Sequence, residues 1–190
     1  MNKKEAKELL HENMQNQNLR RHCYAVAATM IALAKHFGED EEKWEIVGLL
    51  HDGDYEKTKD TPEKHTIMMS EWLKKAGVED KEILDAILSH NYAHTGENPP
   101  KNNLEWSLYC CDELTGLIVA VALVKPDKKL ASVTVDSVTN KWNQKSFAAG
   151  VHREQIEECE DRLDIPLKDF IGLTLTACLL YTSPSPRDRS

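Results

Sequence analysis

Val47-Gly48-Leu49-Leu50-His51-Asp52-Gly53-Asp54-Tyr55-Glu56 contains the sharpest change of chemistry in this chain. An apolar run stops at His51-Asp52, and Asp54, Tyr55 and Glu56 follow at once. The run reads as a buried helix, with Trp44, Val47 and His51 at i, i+3 and i+7 on one face. Burying a histidine and an aspartate without partners is costly. A metal ion would satisfy both, and the remaining ligands would then have to come from other parts of the chain.

Outward from this segment the pattern is helical almost throughout. Upstream, residues 3–13 predict a polar surface helix. Residues 18–37 predict a longer one, with Leu19, His22, Val26, Met30 and Leu33 at helical spacing and Gly38 as its stop. The segment 40–51 is the helix that ends in His51. Downstream, a polar loop spans Gly53 to Thr61. Thr61-Pro62 then predicts a helix start, running to about Ala76 with His65, Met68, Met69 and Trp72 on one face. Residues 80–90 form the next helix, with Ile83, Ala86, Ile87 and His90 aligned, and 91–103 a loop containing Pro99-Pro100. The most apolar helix is 104–124, with Leu108, Asp112, Thr115, Gly116 and Val119 on one side and Pro126 ending it. Further helices are expected near 134–145, 151–163 and 167–177, with Val133-Thr134-Val135 as a short extended entry. There is no internal repeat. The expectation is one all-α domain over residues 1–177, a compact bundle of about five core helices with additional C-terminal helices.

Length and composition agree with a single domain large enough for a core: 190 residues, 41% hydrophobic and 29% charged. The formal net charge of −8 argues against a nucleic-acid polymer or an anionic membrane as partner. No apolar run approaches the roughly 20 residues of a membrane span, and Met1-Asn2-Lys3-Lys4-Glu5 is not a signal peptide. Cys23, Cys110, Cys111, Cys159 and Cys178 show no CxxC spacing, which reads as reduced thiols in a cytoplasmic protein. The tail from Cys178 to Asp188 resembles a translated frame of a sequencing adapter, so residues 178–190 are expected to be non-native or disordered.

His22, His51 with Asp52, His65, His90 and Asp112 lie on the apolar sides of five predicted helices. One inward histidine is an ordinary hydrogen-bonded core residue. Four, together with two inward aspartates, call for a compensating cation or two. Imidazole and carboxylate without thiolate suit Mn, Fe, Co, Ni or Zn, and Mg at the carboxylate-rich side. Cys23 is about 100° round the helix from His22 and should not share the site. Cys110 and Cys111 likewise point away from the Asp112 direction.

The order His22, His51-Asp52, Asp112, all on helices, resembles the HD-domain superfamily of metal-dependent phosphohydrolases over roughly residues 1–125. Leu114-Thr115-Gly116-Leu117-Ile118 and Lys145-Ser146-Phe147-Ala148 resemble a narrower HDIG-type bacterial group of hydrolases, extending the likeness to about residue 175. The resemblance implies that His22, His51, Asp52 and Asp112 hold a first divalent metal. His65 and His90 would hold a second, with Asp52 bridging. It implies a phosphohydrolase that cleaves a phosphomonoester or phosphodiester of a small, nucleotide-like molecule through a metal-activated water. Gly53 departs from the aliphatic residue of the HDIG signature, and the GYP motif of cyclic-dinucleotide phosphodiesterases is absent. Asp52 and Asp54 are the candidate catalytic carboxylates, Asp54 either handling a proton or orienting a ligand. Two rival functions remain: a di-iron oxygenase of the same superfamily, and a non-catalytic HD interaction module.

Substrate phosphate needs cations, and Arg21, Lys128 and Lys145 are the candidates for it. Arg20, Lys57, Lys125 and Lys129 are weaker ones. Tyr92 and His94 are expected at the entrance, whereas His11, His36 and His152 have no supporting pattern and read as surface residues.

Overall fold

A computed structural model describes residues 1–182. Eleven α-helices and two short 3-10 turns account for the regular structure, with no strand among the described residues. The helices are α1 (Lys3–Asn13), α2 (Gln17–Phe37), α3 (Glu41–Leu50), α4 (Tyr55–Thr58), α5 (Ile67–Lys75), α6 (Lys81–His90), α7 (Tyr92–Thr95), α8 (Asn103–Leu123), α9 (Val135–Trp142), α10 (Arg153–Leu163) and α11 (Leu167–Thr182). Polar side chains start most of the long ones. Asn2, Asn16, Asp40, Asp80, Asn102 and Thr134 each accept a backbone N–H of the first helical turn. Gly38 closes α2 in the left-handed conformation, φ 71°.

The expected all-α bundle is present, with α8 at its centre. Leu108, Cys110, Cys111, Leu114, Leu117 and Ile118 are completely buried, so this helix is mostly apolar where it meets its neighbours. By length and composition α8 would suit a membrane span, contrary to the reading that no segment does, but most of it is enclosed by the bundle. Around it pack α2, α6 and α10, while α3 lies along α2. Gly48 allows the α2–α3 contact: a Cβ there would sit 2.6 Å from the Ala27 Cα. The C-terminal helices are part of the same core. Phe170 and Ile171 of α11 and Ile156 and Cys159 of α10 have no solvent exposure.

Several boundaries depart from the periodicity. The loop 53–61 contains α4. Thr61-Pro62 starts only a 3-10 turn, Pro62–Lys64, and Thr61 makes no capping bond. His65 is extended and Thr66 has φ 69°, so the aligned face of His65, Met68, Met69 and Trp72 does not exist as one helix. The physical cause is Asp54. Its Oδ2 accepts the Met69 N–H at 2.9 Å and caps α5 from a distance. The 91–103 loop contains α7, closed by Gly96. Val133 and Thr134 are extended, with Thr134 serving as the α9 cap. α9 stops at Trp142, and the chain turns through residues 143–152 before α10. At the C-terminus the helix continues past Ala177. Cys178 is buried with its Sγ 3.9 Å from Thr29 Oγ1, and the Tyr181 ring lies 5.6 Å from that of Tyr24. The rest of the adapter-like stretch, residues 183–190, lies outside the described residues.

Candidate metal centre

The six polar residues singled out from the sequence converge on one point. His22 comes from α2, His51 and Asp52 from the end of α3, His90 from the end of α6 and Asp112 from the middle of α8. His65 reaches the same point from the extended link before α5. His22 Nε2 lies 2.7 Å from Asp112 Oδ1 and 3.3 Å from His51 Nε2. His51 Nε2 is 3.4 Å from the same Asp112 oxygen. Asp52 turns Oδ2 towards His22 and His51, both at 3.6 Å, and Oδ1 towards His65 and His90 at 3.2 and 3.4 Å.

Three of the four rings are aimed by their other nitrogen. His51 Nδ1 bonds the Gly48 carbonyl at 2.8 Å, His65 Nδ1 bonds Asp54 Oδ1 at 2.7 Å, and His22 Nδ1 lies 3.3 Å from Thr115 Oγ1. In all three, Nε2 is the atom left facing the centre. His90 also presents Nε2, and its buried Nδ1 has no partner among the described residues. A divalent ion fits this arrangement. Ligand nitrogen and oxygen sit about 2.0–2.2 Å from such an ion, so neighbouring donors fall roughly 3 Å apart. His22, His51 and Asp112 form one group of converging donors, and His51, Asp52 and His90 another.

The electrostatics describe a site with protons where a cation would be. Burial lowers the pKa of His22, but the hydrogen bond and charge of Asp112, with Asp52 behind it, outweigh this and raise it to about 9. Burial likewise opposes protonation of His65, and Asp52 and Asp54 lift it to about 9. His90 goes the other way, because burial dominates its modest pairing. Burial works against ionising Asp52 and Asp112. The surrounding imidazoles nevertheless hold both carboxyls far below the usual carboxylate range.

The centre forms the floor of a cavity of about 350 Å³. Leu19, Tyr55, Asn91, His94, Glu113, Gly150, His152 and Gln155 also line it. No lysine or arginine lines it among the described residues, which corrects the expectation for Arg21, Lys128 and Lys145. Arg21 and Lys128 are exposed elsewhere, the latter in a turn with φ 52°. Lys145 lines a neighbouring depression that meets the cavity at His152. Arg20 is occupied by the carbonyls of His11 and Met14, and Lys57 by Asn13. Asp54 is fully buried, with both oxygens engaged by His65 and Met69, so it positions His65 and has no route to a substrate. His94 stands at the entrance as expected. Tyr92 packs against Tyr109 instead, and His11 is tied to the Tyr24 hydroxyl rather than being free on the surface. His152 and Glu113 were not legible: α8 and α10 are far apart in sequence, and the bond from His152 N–H to Glu113 Oε2, 3.0 Å, is purely tertiary. Replacing Asp54 by Asn leaves His65 with a weaker acceptor. Metal affinity in equilibrium dialysis is expected to fall about 10–100-fold, and unchanged affinity would remove Asp54 from the site.

The chain thus brings histidines and aspartates to one point that could hold a metal ion. The family model for the HD domain matches residues 19–122, more than half of the chain, and includes all six residues. The chain belongs to the HD domain family. It is also similar to Ribonuclease Y of Oleidesulfovibrio alaskensis, 32% identical over 101 residues. That match covers 53% of this chain and 18% of the relative's length. No solved structure matches.

Proposed function

We propose that this chain is a metal-dependent phosphohydrolase acting on a small, nucleotide-like phosphate ester. The observation that supports it most is the division of Asp52, whose two oxygens face two different sets of imidazoles. Such a carboxylate suits a bridge between two divalent ions. His22, His51 and Asp112 would complete one site, and His65 and His90 the other. Bound ions would lower the pKa of a water and offset charge on the phosphoryl group. The chain's own contribution is placement: Nδ1 partners fix the rings of His22, His51 and His65, and the cavity lining would hold the organic part of the substrate against Tyr55 and Leu19. The relative's name says that it acts on RNA, which supports phosphoester chemistry here. The net charge of −8 and the acidic floor favour a small substrate over a polymer. Within the family, the segments 114–118 and 145–148 support the HDIG-type bacterial group.

The test is the metal content of protein purified without chelator, followed by a Mn²⁺-supplemented screen of phosphate esters and nucleotides. Turnover that requires the metal supports the proposal. Iron with oxygen-dependent turnover would instead favour the di-iron oxygenase. No metal under any loading condition would leave a non-catalytic HD module.

Metal binding is expected to be proton-coupled. Metal-free His22 and His65 titrate near 9, so both carry protons at neutral pH and must release them to bind a cation. Calorimetry in buffers of different ionisation enthalpy should show about two protons released per chain at pH 7. The sign for stability is the reverse. The folded-state pKa of each lies above the unfolded value of 6.5, so their contribution to metal-free stability is complete below 6.5 and lost as pH rises through about 9. Metal-free protein should therefore unfold more easily at pH 9.5 than at 6.5, while metal affinity rises over the same interval.

A further inference from the structure

We infer that His94 and His152 are the substrate-holding pair of this cavity, gripping the phosphate oxygens that face away from the acidic floor. The inference rests on the phosphohydrolase reading and narrows its substrate to a phosphomonoester. The two imidazoles line the same cavity, His94 from α7 and His152 from the turn before α10, and their ring centroids are 6.1 Å apart at 85°. They are the basic side chains of the lining outside the metal-facing set, since no lysine or arginine lines the cavity among the described residues.

The segments that carry them are anchored by hydrogen bonds. The His152 backbone N–H is fixed on Glu113 Oε2 at 3.0 Å, which ties the turn to α8 beside Asp112. Its Nδ1 lies 3.2 Å from Glu154 Oε1, which leaves Nε2 as the ring nitrogen to meet a substrate oxygen. His94 is carried on α7, whose start is anchored where the Asn91 side-chain amide donates to the Pro62 carbonyl at 2.8 Å. The geometry therefore offers a floor that metal would make cationic and two imidazoles beside it. A phosphomonoester has three non-bridging oxygens and can engage both levels. A diester has two, carries one charge less, and leaves part of the arrangement unused.

The experiment uses the full chain, loaded with Mn²⁺ after its metal content has been measured, and inorganic phosphate as the probe. Binding is followed by calorimetry for the wild type, His94→Ala, His152→Ala and the corresponding Gln variants, which keep a neutral donor. The expected result is about tenfold weaker phosphate binding in each Ala variant, the loss of one hydrogen bond to the anion. Partial recovery is expected in the Gln variants, with unchanged metal content and thermal midpoint. Dimethyl phosphate should bind the wild type more weakly than phosphate and should be indifferent to the substitutions. Phosphate binding that is equal in wild type and variants, or absent from metal-loaded wild type, overturns the pair while leaving the hydrolase reading to its own assay. Failure of the wild type to hold any metal appears before phosphate is added and removes both.

Discussion

Asp52→Ala is expected to empty the centre. Metal content should fall from about two equivalents per chain to less than one, and metal-dependent phosphoester hydrolysis by roughly 10³-fold or more. The size follows from the position of the carboxylate. Its two oxygens approach four imidazole nitrogens at 3.2–3.6 Å, a closer link between the two halves of the site than Asp112 makes, whose Oδ2 lies 3.9 Å from His90. Removal costs each half a ligand and leaves one negative charge instead of two near the point where cations would sit. The substitution also has a readout independent of activity. The high pKa of His65 relies in part on its hydrogen bond to Asp52, so its titration, followed by NMR of the ring protons in metal-free protein, should move down from about 9. It should not return fully, because Asp54 still holds Nδ1. A variant that retains two equivalents of metal would show that Asp52 bridges nothing.

What was legible in the sequence was set by helical periodicity. His22, His51, His90 and Asp112 recur with apolar neighbours three, four or seven positions away, and each lies on a long helix whose inward face follows from that spacing. His65 joins the cluster for a different local reason from the one periodicity suggests. It sits on no helix, and its direction is set by Asp54, eleven residues earlier, which no periodicity reports. The same contact explains why Asp54 is a positioning residue, and why α5 begins at Ile67 rather than after Thr61. Gly53 is explained by packing as well. A Cβ there would lie 2.5 Å from Met69 Sδ, so the space of the signature's aliphatic residue is filled from α5. The rims were illegible because they are built by tertiary contacts between short turns. Lys145 was picked for its charge and neighbours and lies one depression away, while His152, without any pattern, stands at the cavity.

The largest effect on stability is expected at Gly48, one turn before His51. In an isolated helix, replacing glycine by alanine stabilises by about 1 kcal/mol. Here the sign should reverse. A Cβ at Gly48 would lie 2.6 Å from the Ala27 Cα and 2.8 Å from its nitrogen, and both are backbone atoms of α2 that cannot rotate aside. The helices must separate, and overpacking of this kind costs about 1–3 kcal/mol or more. Because α2 carries His22 and α3 carries His51, the displacement acts directly on the 3.3 Å approach of their Nε2 atoms. The Gly48 carbonyl itself holds His51 Nδ1. Gly48→Ala should therefore lower the urea midpoint and weaken metal binding together, and Gly48→Leu should prevent folding. Gly172→Ala on α11 is the control: its new methyl would meet Val135 at an ordinary 3.7 Å, so the helix-propensity gain should survive and raise the midpoint. If Gly48→Ala proves as stable as the wild type, α2 and α3 do not approach as closely as this structure has them. The alignment of His22 with His51 would then need another support.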